Sequence, residues 1–436
     1  MQFKYIIIIV FSFLSAQSQF NPIIGQSLDM GSVRSFSMGH TYMSFPNSSS
    51  VVLSSPSSML SIDNKSSLQA NYSLANHSYL ERRSIPMKDN FGDFLTYGDY
   101  ASNRSTYQYH HFGLLYLNKS IGLGINYGPL ISYNYNFSEE VRTRYYASDG
   151  EIVSKDPLSG FHTMKSLGTI NAISLGLAYK FNFLSYADIG LGLSYNYVLK
   201  DTVYHQFEVD ALSSQINYLS PVQSVELNSG TNSQNYFVGD ISIFISSFRL
   251  IMGYENSFNE SSYNIIQPYF DSDLGFFKIS QIESNETVIY NLSNISIYKP
   301  EKYRFGLTYS PKTYPKTNIA FESEFENYYK SFNNSIIDNV LKWKFGIEYY
   351  VNNKLPIRLG FLYTNHPIKI IPAETRFTLG STININKRIF MDYGLEYFIN
   401  QFQYPDLFPV LSENRLQYDQ IIESTFNVKF GFGYQF

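Results

Sequence analysis

Three sets of residues have types and spacing that could do chemistry. Glu322, Glu324 and Glu326 fall at every second position, with Ile319, Phe321 and Phe325 on the opposite face. In a strand the three carboxylates would stand on one side of a sheet, where they could bind a cation or move a proton. Lys342 and Lys344 repeat on the polar face of the next such segment. The row therefore also reads as a solvated lumen face whose charges pair across strands, and that reading is the favoured one. Asp271-Ser272-Asp273 offers two carboxylates to calcium but lacks EF-hand spacing, so a polar loop is the simpler account. Seven histidines are present: His40, His77, His110, His111, His162, His205 and His366. A membrane lipase would need a serine, one of these histidines and a positioning group. No Gly-x-Ser-x-Gly elbow occurs, and in a strand His110 and His111 would point to opposite faces. With no cysteine at all, thiolate metal sites, a Cys nucleophile and a disulfide framework are excluded. The expectation is a protein that is not an enzyme and uses no cofactor and no metal.

The whole chain narrows the class. Its 32 Lys+Arg against 36 Asp+Glu leave a formal charge of -4. No basic excess is available to neutralise phosphates, so nucleic acid is not an expected partner. Hydrophobic residues at 44% are too many for a disordered chain. Charged residues at 16% fall below the roughly 25% of ordinary soluble domains. Residues 1–19 read as a signal peptide: Lys4, then a ten-residue, nearly unbroken apolar run from Tyr5 to Leu14, then small residues at Ala16 and Ser18. Such a run is too short to span a bilayer, which needs about 20 residues, and no later run reaches that length. Export of this kind leads to the periplasm, the outer membrane or the medium.

The dominant period after that is two. Ile121, Leu123, Ile125 and Tyr127 alternate with Gly122, Gly124, Asn126 and Gly128. Ile189, Leu191, Leu193, Tyr195 and Tyr197 alternate with Gly190, Gly192, Ser194 and Asn196. The end of the chain does the same from Val428 to Phe436. Alternation means strands with one apolar and one small or polar face. Segments of about ten residues with aromatic ends suit a tilted bilayer crossing, and in hydrocarbon only a closed barrel is viable. Candidate strands lie at 66–76, 108–118, 121–137, 166–181, 185–199, 236–247, 248–258, 285–297, 301–310, 317–328, 340–351, 355–364, 375–386, 388–399 and 422–436. Barrels of this kind have even numbers, so one segment between 236 and 297 is expected to be false and about fourteen strands remain. Tight turns at 118–120, 182–184, 352–354 and 386–388 alternate with long mixed segments at 77–107, 138–165, 200–235, 259–284 and 400–421. That asymmetry puts turns in the periplasm and loops outside. A short helix is expected within Phe207 to Leu219. The expected fold is an all-β transmembrane antiparallel barrel at 66–436, and composition alone leaves 20–65 as either a disordered periplasmic tail or a plug.

Residues 20–65 do not alternate. The stretch from Arg34 to Met59 resembles the N-terminal hatch of the FadL/TodX family of outer-membrane channels for hydrophobic compounds. The family pattern reads Met-Gly-Gly-Ala, a short turn, then Asn-Pro-Ala-Gly. Met38-Gly39, Asn47, Ser50 and Pro56 match in register; His40 stands for the second Gly, Ser55 for the Asn and Ser57-Ser58 for the Ala-Gly. Later segments, including Ile121 to Tyr133, Thr169 to Lys180 and Lys299 to Tyr309, resemble the family's strands in order. The terminal strand, with aromatics at alternate positions and Phe436 last, resembles the signal that hands such barrels to their assembly machinery. The related PorV-type barrels share the hatch pattern and leave a second reading open, a non-transporting barrel that docks or shuttles secreted proteins.

The resemblance implies that residues 20–65 are an N-terminal hatch, or plug, inside the lumen, and that the work is passive uptake of hydrophobic small molecules such as long-chain fatty acids. They would cross an apolar lumen closed by the hatch and leave sideways beside a kinked strand. It also implies contact with outer-membrane lipid and lipopolysaccharide. Gly128-Pro129 interrupts an otherwise long strand, and proline within a sheet belongs at edges or bulges. These two residues are the candidate for the lateral opening, or else the start of an outer loop. Met38, Tyr42, Phe45, Leu53 and Pro56 are the candidate hatch residues that respond to ligand, or else anchor the hatch to the wall.

Overall fold

The computed structural model describes residues 25–28, 31–62, 67–142, 158–184, 186–211, 225–230, 233–266, 268–271, 276–279, 281–284, 287–290, 292–311, 316–328, 338–351, 355–369, 371–404 and 418–436. The signal segment 1–19 and Asp273 lie outside them.

Fourteen strands form one closed ring. They are β1 (Ser67–Lys88), β2 (Phe94–Leu117), β3 (Ile121–Ser132), β4 (Thr169–Leu184), β5 (Ala187–Val198), β6 (Gln234–Ile245) and β7 (Phe248–Glu255). The second half holds β8 (Glu301–Tyr309), β9 (Thr317–Asn327), β10 (Val340–Val351), β11 (Leu355–Thr364), β12 (Glu374–Asn384), β13 (Ile389–Tyr404) and β14 (Asp419–Gln435). Each pairs antiparallel with the next in chain order. β14 closes on β1 from Gln69 opposite Gln435 to Ser84 opposite Gln420. The false candidate is 285–297: its residues pair in small two-stranded sheets outside the ring.

The alternation has the expected cause. Leu123, Leu177, Leu193, Met252, Phe345, Leu359 and Phe430 stand exposed on the outer face, while Asn126, Ser174, Ser194, Asp240, Glu348 and Thr378 are buried within. An apolar belt of this extent would be an aggregation liability in water; against lipid it is the wall's contact surface.

Two loop assignments are corrected. Segment 77–107 is not a loop, because β1 and β2 continue through it as strands of 22 and 24 residues. Above the bilayer the outer face need not be apolar, so the pattern loses its apolar half while the backbone ladder goes on. Phe207–Ala211 is likewise strand rather than helix, within Thr202–Ala211, and 212–219 lie outside the described residues. Thr202–Ala211 joins Val225–Gly230, Leu158–Leu167 and Tyr135–Arg142 in a four-stranded sheet beyond the ring, built partly from the expected loops 138–165 and 200–235.

Residues 31–62 fill the inside of the ring. They form a one-turn helix, α1 (Val33–Phe36), capped by the Ser32 hydroxyl accepting from the Ser35 amide at 3.1 Å, and two 3₁₀ turns, Ser49–Leu53 and Pro56–Ser61. Pro56 begins the second turn, where its missing N–H costs nothing. The small wall residues are the seat for this segment. A Cβ on Gly346 or Gly360 would collide with the backbone of Met38 and Gly39; one on Gly380 would collide with Ser37, and one on Gly176 with Val52.

Gly360→Val should therefore leave the barrel folded and unseat the segment. The expected outcome is a heat-modifiable band on gels as in the wild type, with several-fold higher ion conductance in planar bilayers. Unchanged conductance would mean that the close approach is not what holds the segment.

Candidate functional site

The enclosed segment is tied to the wall by charged groups on many strands. Arg34 in α1 donates two hydrogen bonds to the Glu348 carboxylate of β10, at 3.0 and 2.5 Å. Arg358 of β11 donates to Glu348 at 2.7 Å and to Asp392 of β13 at 3.1 Å, and Asn47 donates to Asp392 at 2.6 Å. Burial alone would lower the Arg34 guanidinium, but Glu348 overrides it and holds the group well above its ordinary value. Across the lumen, Asp240 of β6 accepts from the Ser57 amide at 2.8 Å, the Ser57 hydroxyl at 2.6 Å and the Ser55 hydroxyl. Glu322 of β9 accepts from the Met43 amide at 2.9 Å and the Ser44 hydroxyl at 2.6 Å. Arg249 of β7 donates to the Met43 carbonyl at 2.7 Å and to that of Ser44. Buried charges need such partners to be tolerated.

The carboxylate row pairs across strands as expected, but it is buried rather than solvated. Glu324 meets Arg304 at 2.9 Å, Lys344 at 3.1 Å and Lys342 at 3.2 Å, and Glu326 meets Lys302 at 2.5 Å and Lys342 at 2.8 Å. Glu322 serves the enclosed segment instead. Among the described residues no cluster of acids, histidines or cysteines could hold a metal ion.

The singled-out residues fall at different places. Met38 is wholly buried against the wall glycines. Tyr42 and Leu53 line a small cavity of about 50 Å³ together with Leu28, Leu130 and Tyr236, and Lys302, Arg304, Glu324 and Lys344 line it too, the Lys344 ammonium 5.2 Å from the centre of the Tyr42 ring. Phe45 lies on the other side of the segment, half-buried, with the Arg34 guanidinium 5.4 Å from its ring centre. Pro56 is buried against Gly192. His40 explains a feature of its motif. Its φ is 62° and that of Gly39 is 69°, a region that favours glycine. The imidazole hydrogen-bonds the Tyr42 hydroxyl and Glu396 of β13, which holds the unusual backbone in place.

Gly128 and Pro129 sit where the wall changes. The β2–β3 ladder ends at Phe112 opposite Tyr127, whereas β3 stays paired with β4 to Ser132 opposite Thr169, with a register shift between Pro129 and Ile131. Among the described residues no further ladder pair joins β2 to β3. Residues 26–27 pair with Ser132 and Ile131 instead, and the Leu28 amide donates to the Leu130 carbonyl at 2.9 Å. Side chains bridge the seam: the Tyr109 hydroxyl donates to Ser132 at 2.7 Å, and the Asn134 amide donates to Tyr109 at 3.3 Å. Leu53, Leu130, Ile131 and Tyr236 belong to one apolar cluster behind it.

Solved structures share this architecture. A FadL homologue of Pseudomonas aeruginosa superposes with a TM-score of 0.59 at 10% identity, covering 94% of this chain and 99% of that one. The toluene transporter TodX of Pseudomonas putida gives 0.56 at 11%, covering 93% and 99%. The toluene transporter TbuX of Ralstonia pickettii gives 0.51 at 12%, covering 93% and 99%. These are structures of the group that the hatch residues resemble, and at such identities the likeness establishes the fold. No protein-family model and no curated protein matches the sequence.

Sequence reasoning missed Arg34, Asp240, Glu348, Arg358 and Asp392 as anchors. The available signal was a lone charge on the inward face of an alternating strand, such as Asp240 between Val238 and Ser242. Arg34→Ala should loosen the segment and leave Glu348 with Arg358 and the Asn318 amide. Breaking a buried pair costs about 3–5 kcal/mol; because one partner stays, the expected loss is about 2 kcal/mol, read as a lower urea midpoint. An unchanged midpoint would remove Arg34 from the anchors.

Proposed function

We propose that this chain is an outer-membrane channel for passive uptake of hydrophobic small molecules, long-chain fatty acids among them, and that they leave sideways beside Gly128-Pro129. Residues 20–65 act as the hatch, with Met38, Tyr42, Phe45, Leu53 and Pro56 as the residues through which a ligand is felt. The observation that carries the reading is the seam: the wall loses its β2–β3 ladder beside Pro129 while the lumen behind it is filled. A water-filled pore offers an acyl chain nothing. Burying about 16 methylenes at ~0.8 kcal/mol each is worth on the order of 13 kcal/mol, so a route along apolar side chains into the bilayer is downhill. The outer membrane is the compartment, reached through a cleaved signal at 1–19. The strand ending at Phe436 is the segment read by the assembly machinery, and lipid and lipopolysaccharide surround the wall.

One observation favours the second reading, a barrel that docks or shuttles secreted proteins. The cavity beside Tyr42 and Leu53 is small, and seven of its sixteen lining residues are charged. The two readings separate in organic extracts of protein purified from native membranes. A stoichiometric, enriched acyl or hydrocarbon species supports the channel; bulk lipid alone with a co-purifying protein supports the scaffold.

Pro129→Val restores a backbone donor where the seam begins. Uptake of a radiolabelled hydrophobic probe should fall several-fold while the barrel stays heat-modifiable. Wild-type uptake by the folded variant would sink the lateral route.

A further inference from the structure

A second and larger cavity, of about 540 Å³, lies on the other side of the enclosed segment. It is lined by residues at the short-turn end of the ring, among them Ser246 and Ser247 between β6 and β7, Ser310 after β8 and Gln435 at the end of β14. Short turns mark the periplasmic end of such barrels, so this is a periplasm-facing vestibule. Its volume falls in the range of small-molecule sites, about 300–1,000 Å³.

Two cations meet in it at one aromatic ring. The Lys180 ammonium stands 4.8 Å from the centre of the Phe244 ring and the Arg249 guanidinium 5.7 Å from it. Arg249 is 4% exposed. Its Nη2 is used on the Met43 and Ser44 carbonyls, but its Nη1 is buried with no hydrogen-bond partner. A buried, unpaired guanidinium donor is costly, and an oxyanion relieves that cost with a charge-assisted bond. Lys180 pairs with Asp188 at 2.9 Å and stays a quarter exposed, free to share its charge. The nearby hydroxyls of Ser246 and Ser247 supply neutral donors, and Phe45 and Phe390 supply an apolar wall.

We propose that this vestibule is a binding site for a small periplasmic oxyanion, a carboxylate or phosphate group held by Arg249 and Lys180, with any apolar body lying on Phe45 and Phe390. The site is separate from the seam and from whatever crosses the barrel. Arg249 also holds the enclosed segment at Met43 and Ser44, so an anion on Nη1 and the position of that segment act on one side chain.

The chain has no cysteine, so Ser247→Cys gives a single labelling position in the vestibule. The full-length protein in detergent, carrying a polarity-sensitive dye there, is titrated with octanoate and separately with inorganic phosphate. A saturable signal with either anion, weakened about tenfold by Lys180→Gln, is the expected result; the Lys180 ion pair is to Asp188 of the wall, so that variant keeps the segment's anchors. Octanoate alone binding assigns an organic carboxylate that uses the apolar wall, and phosphate competing with octanoate assigns the oxyanion as the recognised group. No saturable signal with either anion overturns the proposal, as does an affinity unchanged in both Lys180→Gln and Arg249→Gln. Pro129→Val, which tests the lateral route, should bind these anions as the wild type does.

Discussion

A strand wall in hydrocarbon must satisfy its own backbone, because lipid offers neither donor nor acceptor. The ring of fourteen strands meets that demand by pairing each strand with its neighbours in sequence. The β2–β3 ladder is cut short at Phe112 opposite Tyr127. There the edge of β3 is taken up by residues 26–28 from inside the lumen. The N-terminal region thus does two things through one stretch of chain: it fills the ring and it completes the strand that β2 releases. Removing it would expose donors and acceptors of β3 as well as emptying the lumen.

The filling is held by geometry and charge together. Glycines on the wall let the Met38-Gly39 backbone approach β10 and β11 closely. Arg34, Asp240, Glu322 and Arg249 then tie the segment to the wall from several directions. Apolar packing alone would allow the segment to slide, since dispersion contacts carry little direction. Bidentate and multiply hydrogen-bonded charges have fixed geometry, so they set one orientation.

The wall was readable because its two environments differ so sharply. Lipid outside and close-packed backbone inside impose the alternation of large apolar and small residues along β3, β5 and β14. The upper parts of β1 and β2 were misread as loop because solvent replaces lipid there and nothing enforces an apolar face. The Met38-Gly39 and Pro56 signals survived because each answers a local backbone need, and the φ of His40 shows why its motif position otherwise takes glycine. The anchors were hidden for the opposite reason. Arg34 and Glu348 lie 314 residues apart in sequence, and no local pattern links a charge on a one-turn helix to a carboxylate on β10.

Energetics rank the ways in which this closed arrangement could yield. The cavity beside Tyr42, Leu53 and Leu130 holds about 50 Å³, well below the roughly 300 Å³ at which small-molecule sites begin, so passage of a lipid-sized molecule requires something to move. Withdrawing the enclosed segment breaks the Arg34–Glu348 pair and strips Asp240 and Glu322 of their donors, and a single buried pair already costs about 3–5 kcal/mol to break. Widening the seam instead gives up neutral bonds such as Tyr109 to Ser132 and Asn134 to Tyr109, each worth about 1 kcal/mol net. The wall beside Pro129 is therefore the cheaper element to displace. On the proposed reading, the segment stays seated during passage and acts as a floor that turns the molecule toward the bilayer.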